Sequence, residues 1–382
     1  MARGCPRPGM MMAAIDNTET EIFARNGEGR KTLWDLRDVA PGSESESRDH
    51  LTQSSLITGP EPLIPRDIAS LTAPAKPSPF SAAAIWVRKK RDARFGLRGD
   101  VASAILERLT AIGTAVEALP SLMVIVAHPD DEAIGAGAVL RGIPNSTVVH
   151  VTDGAPRDEA YAQRKGFPNR EAYAQARRDE VVAALWIIGM PPERIRGLGF
   201  VDGEAAFHLV ELTHKIVDLI SEMKPDVILT HPYEGGHSDH DSTAFAVHLA
   251  CGILRREGLF APVIMELTSY HNYEGRRRLF SFLPFPGARE KTVELDEETK
   301  EIKRQMFDAF TSQHALLKTF PLEVERFRHA PRYLFTVPPH EGTLDYERLC
   351  NKMTGAEWRM YAEQALQVLR ARKSSTSGEP PN

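Results

Sequence analysis

The sequence predicts an α/β protein, a three-layer arrangement in which a mostly parallel sheet carries helices on its faces. Three observations carry this expectation. From about residue 100 to residue 270, short apolar runs alternate with longer stretches whose apolar residues recur at helical spacing. Such alternation requires crossover connections, which are right-handed and build parallel sheets. The apolar runs also end in polar or turn residues, at His128, Asp153-Gly154, Asp202-Gly203 and His231. At 42% apolar and 26% charged, the composition is that of a chain able to bury a core.

Residues 1–80 are rich in Ser, Pro, Glu and Arg without a sustained period, so a disordered or extended linker segment is expected there. Residues 81–120 read as a helical lead-in, with Val101, Ile105, Leu106, Leu109, Ile112 and Val116 at helical spacing behind Asp100 as a cap. Its basic run Arg88–Arg91 reads as a solvated helix face. The main domain is expected over 121–350. Strands fall at 122–127, 147–152, 195–200, 226–230 and 262–269, and helices at 133–141, 169–188, 206–223 and 239–256. Residues 272–290 read as a loop and 296–318 as a helix. Residues 351–382 are expected to form a terminal helix, over 355–372, and a disordered tail. Gly135 and Gly137 lie inside a helix, where they permit close packing on the sheet. No G-x-G-x-x-G follows the first strand, which removes the dinucleotide-binding reading.

A net charge of −5 and a pI near 6.3 give no electrostatic reason for a nucleic-acid or anionic-membrane partner. No apolar run is long enough to span a membrane. The N-terminus lacks the apolar core of a signal peptide, and Met10–Met12 offer an alternative start. Cys5, Cys251 and Cys350 are too few and too scattered for a disulfide framework or an all-cysteine zinc site, and suit a reducing cytoplasm.

The chemistry concentrates in two blocks at strand ends. The first is Ala127-His-Pro-Asp-Asp-Glu132 and the second His231-Pro-Tyr-Glu-Gly-Gly-His-Ser-Asp-His-Asp241. His128 and Asp131, three apart, can turn toward one divalent ion, and His240 completes a set of two imidazoles and one carboxylate. A catalytic zinc typically takes three protein ligands and keeps one position open. Asp130 is then left as a general base for the attacking water. His237 is placed as an imidazolium that stabilises an oxyanion or protonates a leaving amine. Asp239 can orient His237 or a ligand.

Plainer readings exist for each block alone. Acidic residues after a strand commonly favour a helix start, and a lone His-x-x-His is more often structural. Glu132 reads as a helix-start residue or a hydrogen-bond partner of a ligand. Two such blocks at one edge of one sheet favour the metal site, since sites in parallel sheets lie at the carboxyl ends of strands.

Over roughly residues 120–270 the sequence closely resembles the PIG-L/LmbE-like family of N-acetylglucosaminyl deacetylases. The resemblance rests on Ala127–Glu132 and His237-Ser-Asp-His240. It is supported by Val151-Thr-Asp-Gly154, by Arg177-x-x-Glu180 with Leu185 and Gly189, and by Leu198-Gly-Phe-Val-Asp-Gly203. It implies a Rossmann-like three-layer fold and a zinc-dependent amidohydrolase, with another divalent metal as the alternative cofactor. His128, Asp131 and His240 would be the ligands, Asp130 the base and His237 the oxyanion-stabilising acid. Arg177 and Asp202 match positions that contact the sugar in relatives. The implied substrate is a small amino-sugar or glycoconjugate bearing an N-acetyl group. Some relatives use a Tyr two residues before the position of His237, where this chain has Gly235, with Tyr233 two places earlier. Tyr270-His271 would border the pocket or pack at the core edge. Fold does not fix substrate, so a hydrolase of a different amide and a non-catalytic carbohydrate binder are the competing readings.

Overall fold

The computed structural model describes residues 106–107, 120–143, 145–348 and 353–371. The expectations for the extension 1–80, for the Arg88–Arg91 run, for most of the lead-in helix and for the tail lie outside those residues.

Five strands alternate with helices as expected: β1 (Leu122–Val126), α1 (Asp131–Arg141), β2 (Thr147–Pro156), α2 (Glu159–Arg164), α3 (Arg170–Ile187), β3 (Ile195–Asp202), α4 (Leu209–Met223), β4 (Val227–Thr230), α5 (Ser238–Arg256) and β5 (Val263–Leu267). Beyond them come β6 (Tyr270–Tyr273), β7 (Arg276–Leu279), β8 (Glu290–Glu294), α6 (Glu297–Ala309), α7 (His314–Leu317), β9 (Val324–His329), α8 (Asp345–Arg348) and α9 (Gly355–Ala371). The main sheet has the order β3-β2-β1-β4-β5-β9-β8. Its first five strands pair in parallel, and β9 joins β5 and β8 antiparallel.

Every residue of β1 is buried because both faces of the strand are covered, so its sequence reads as a continuous apolar run rather than an alternation. Leu122, Val124 and Val126 pack into one core with residues of α1, α3 and α6, whereas Met123 and Ile125 pack into another with residues of α4 and α5. Those two cores on either side of the sheet make the three layers. A third cluster, built from Phe245 and Leu249 of α5, Trp358 and Leu366 of α9 and Tyr346 of α8, extends the second layer outward. The close approach foreseen at the α1 glycines is real at Gly135, where a Cβ would stand 2.6 Å from Leu267 Cδ1 and 3.0 Å from the Thr268 carbonyl.

Strand order reverses between β1 and β4. The connection out of β1 leads to β2 on one side, and the connection out of β4 leads to β5 on the other. The loops at the two carboxyl ends therefore splay apart and leave a crevice between them. Both motif blocks leave the sheet there.

Two expectations need correction. The loop expected over 272–290 contains the β6–β7 hairpin, closed by Glu274 and Gly275 at φ 52° and 76°. Positive φ at both positions matches the right-handed twist of the flanking strands. The helix expected over 296–318 stops at Ala309. Phe310 leaves helical geometry at φ −85°, ψ 68°, and the hydroxyls of Thr311 and Ser312 hydrogen-bond to Glu180. Among the described residues no helix is long and apolar enough to cross a membrane.

Candidate active site

The crevice is closed at its base by a hydrogen bond between the two blocks. Ala127, just past β1, donates its backbone N–H to Nε2 of His231, just past β4, at 3.0 Å. The next turn is sharp. Asp130 adopts φ 144°, an unfavourable region for a residue with a Cβ, at a cost of about 1–3 kcal/mol. Glu132 holds that turn by accepting the Asp130 N–H at 3.1 Å while bonding His150 at 2.9 Å. The buried Glu132 thus supports the loop that presents His128 and Asp130.

Asp131 opens α1 and sits at the centre of the cluster. Its Oδ2 lies 3.2 Å from His128 Nδ1 and its Oδ1 lies 3.2 Å from His240 Nε2. Donor atoms of His128, Asp131 and His240 all fall within 4.8 Å of one another. His240, on the first turn of α5, is clamped by His231, whose ring stacks on it at 3.8 Å and 8°. His231 Nε2 also lies 3.3 Å from Asp131 Oδ2.

The fit to a divalent ion can be judged from these atoms. His240 Nε2 is buried, and its one neighbouring acceptor, Asp131 Oδ1 at 3.2 Å, lacks good hydrogen-bond geometry, which leaves a buried nitrogen at a real desolvation cost. Two imidazole nitrogens and a carboxylate at this mutual distance are the donor types that divalent transition metals take. His128, His237 and Asp239 form a second convergent group. Its carboxylate is already occupied: Asp239 accepts the N–H groups of Gly203 at 2.6 Å and Ala205 at 3.1 Å. The first group fits an ion better.

On the far side of His128, Nε2 faces Asp202 Oδ1 at 3.2 Å and Asp239 Oδ2 at 3.3 Å. Such carboxylates orient an imidazole and fix which nitrogen is left for a ligand. His237 caps α5, and its Nδ1 accepts the Asp239 N–H at 3.2 Å. Its ring meets His128 edge-on, centroids 4.6 Å apart.

Asp130 is turned away from the ligand cluster and toward α3. Arg177, buried on that helix, places Nη2 3.1 Å from Asp130 Oδ2. The guanidinium reaches Asp130 across Gly154, where a Cβ would stand 2.7 Å from Arg177 Nε. Gly154 has φ 67°, so both its conformation and its emptiness serve this contact. Nε and Nη1 of Arg177 have no hydrogen-bond partners.

The electrostatics follow from burial and these neighbours. Burial pushes the Asp130 carboxyl up to about 7, opposed by Arg177 and reinforced by Asp131. Burial also works against ionised Asp131, but the imidazoles of His240 and His231 hold it well below the usual carboxylate range. Asp202 is drawn down to about 2 against its burial by His128. His128 itself is raised well above the usual imidazole value against its burial, chiefly by Asp202. His237 is held down at about 4, first by burial and then by His128. Burial thus opposes the imidazolium expected from sequence and favours the neutral ring. With Nδ1 accepting the Asp239 N–H, the proton of the neutral ring rests on Nε2.

The structure brings together His128, Asp131 and His240, with His237, Asp239 and Asp202 in contact with that cluster and Asp130 beside it, facing Arg177. Arg177, expected on the sugar, is tied to Asp130. Tyr233 lies in the aromatic cluster with Tyr333, Phe335 and Trp358, and its hydroxyl donates to the Val337 carbonyl at 2.9 Å. Sequence reasoning assigned nothing to His231; its position at the end of β4 was the available signal.

A three-layer parallel α/β protein with a His/Asp cluster at the sheet's switch point is a class that takes small ligands at a crevice, here with donors for an ion. The family model described as GlcNAc-PI de-N-acetylase, PIG-L, matches residues 123–251. A probable N-acetyl-alpha-D-glucosaminyl L-malate deacetylase 2 of Bacillus cereus is 31% identical over 163 residues, spanning 40% of this chain and 70% of that protein. The chain belongs to the PIG-L family of deacetylases. Solved structures that resemble it include the A40926 pseudoaglycone deacetylase Dbv21, at TM-score 0.43 and 23% identity, covering 56% of this chain and 98% of that one. Another is the N,N'-diacetylchitobiose deacetylase of Pyrococcus horikoshii, at TM-score 0.40 and 17% identity, covering 61% and 94%.

Proposed function

We propose that this protein is a zinc-dependent deacetylase that hydrolyses the N-acetyl group of an N-acetylglucosamine-type conjugate and releases acetate. The observation that carries the reading is the convergence of His128 Nδ1, Asp131 and the buried His240 Nε2 beside a buried, separately held carboxylate, Asp130. His128, Asp131 and His240 would hold the ion, zinc or another divalent metal. When bound, the ion supplies positive charge that polarises the amide carbonyl and acidifies the attacking water.

The remaining work falls to this chain's own side chains. Asp130 Oδ takes the water's proton and returns it to the departing amine, a role that suits a carboxyl poised near 7. Arg177 favours the ionised form of Asp130 and aims it, and its spare N–H donors suit a sugar hydroxyl. His237 donates from neutral Nε2–H to the developing oxyanion, as an uncharged imidazole can when its charged form is suppressed. Asp239 fixes His128 and His237, and Asp202, partly exposed beside His128, is available to a sugar hydroxyl. The malate conjugate that the Bacillus cereus relative is named for supports an N-acetylglucosamine unit as the amine.

The test combines metal analysis of purified protein with acetate release from a panel of N-acetylglucosamine conjugates. Ion-replete protein that frees no acetate from any of them, yet cleaves another amide, would replace this reading with a hydrolase of different substrate. Binding of glycans without turnover would leave a non-catalytic relative.

A further inference from the structure

The β6–β7 hairpin, beyond the segment matched by the family model, brings a guanidinium to the wall of the site. Tyr270 is the hinge of the arrangement. Its ring lies against His240, centroids 5.3 Å apart. Its carbonyl lies directly under Gly236, where a Cβ would be 2.1 Å from the oxygen, so only glycine lets the loop carrying His237 rest there.

Arg277 stacks on the opposite part of this wall, its guanidinium carbon 4.3 Å from the Tyr270 ring centre. One-fifth of its side chain remains exposed. The nearest carboxylate, Asp345 Oδ2, stands 3.5 Å from Nε, and neither of those two atoms has a hydrogen-bond partner. The pair thus balances charge without using the donors that make arginine a reader of planar or tetrahedral anions. Alternation along β7 sends Arg276 and Arg278 to solvent and leaves Arg277, with Leu279, on the half-buried face.

We propose that Arg277, held on Tyr270, binds an anionic group, carboxylate or phosphate, on the aglycone of the amino-sugar substrate and so sets selectivity among conjugates. This rests on the deacetylase reading above. Stacking pre-orients the guanidinium, and a substrate anion would meet its Nη donors, which the Asp345 contact at Nε does not engage.

The experiment compares kcat/KM of the full chain, loaded with zinc, on three probes: N-acetylglucosamine 1-phosphate, the N-acetylglucosaminyl malate conjugate and the neutral methyl glycoside. The variant is Arg277→Met, which keeps an apolar stem on Tyr270. The ratio of anionic to neutral kcat/KM is expected to fall roughly 10–100-fold, the range for losing hydrogen bonds to a charged group. The phosphate and malate arms tell which anion is read. An unchanged ratio, or an equal fall on all three probes, overturns the proposal in favour of simple packing on Tyr270. If no probe releases acetate, the deacetylase reading fails separately. Calorimetric binding of glucosamine 1-phosphate against glucosamine, wild type against Arg277→Met, then decides the Arg277 question: a lost preference supports it, and an unaltered one overturns it.

Discussion

Arg177 Nη2 and Asp130 Oδ2, 3.1 Å apart and both buried, form an ion pair between α3 and the loop after β1. Its consequence is a tuned base. Burial alone would keep Asp130 protonated, and Arg177 is the main influence that lowers it. Removing the cation in Arg177→Gln should move the acid limb of kcat/KM to higher pH. At pH 6 the loss should be roughly tenfold or more beyond that at pH 8. An acid limb identical to wild type would mean that Arg177 acts on substrate alone.

Wild-type activity should rise with pH through the Asp130 titration, near 7 in the ion-free protein and lower once a dication sits beside it. No alkaline loss is expected from His237, because a ring held at about 4 has already given up its charge. A pH–rate profile with an alkaline limb that disappears in His237→Gln would restore the imidazolium.

Asp130→Asn should retain the ion and lose roughly 10²–10⁴-fold in turnover, the usual worth of general-base catalysis. Metal analysis alongside acetate release separates the two effects. Loss of the ion together with activity would make Asp130 a ligand.

His240→Ala should abolish stoichiometric ion binding. His231→Gln should weaken it roughly 10–100-fold, because His231 supports the site by stacking on His240, abutting Asp131 and accepting the Ala127 N–H. Competition with a chelator measures both. Equal losses in the two variants would promote His231 to a ligand.

His248, buried on α5 beside Tyr333 and Phe335, is held at about 3, chiefly by burial. A folded value below the unfolded 6.5 means that protons favour the unfolded chain. Its contribution is complete above pH 6.5 and is lost as pH falls toward 3. The buried carboxyls Asp130 and Glu266, raised to about 7, act in the opposite direction. The His248 share is isolated by comparing His248→Leu with wild type. On acidification from pH 7.5 to 5.0, the variant should lose about 2 kcal/mol less in urea unfolding. Parallel losses would show that His248 is protonated in the fold.

The five parallel strands and the convergence of His128, Asp131 and His240 were legible because periodicity and strand-end placement are local signals. The partner of Asp130 was not, since Arg177 lies 47 residues away and only the packing of α3 over Gly154 brings it in. The burial that disfavours a charged His237 could not be read from a motif. The β6–β7 hairpin escaped notice because Glu274-Gly275 is not the Asn-Gly or Asp-Gly pair that marks such turns. Tyr233 was weighed as a substrate contact, whereas the aromatic cluster with Tyr333, Phe335 and Trp358, built from distant parts of the chain, claims it.

The hydrogen bond from Ala127 to His231 joins residues 104 positions apart. Neither the His128–Asp131 pair nor His240 can hold an ion well until β1 and β4 lie side by side, so a newly made chain has no complete site to load. An ion bound only by the native sheet stabilises it by mass action, about 4 kcal/mol at a thousandfold excess over Kd. On the zinc-dependent reading proposed above, metal supply would govern how long the folded chain survives as well as how fast it works.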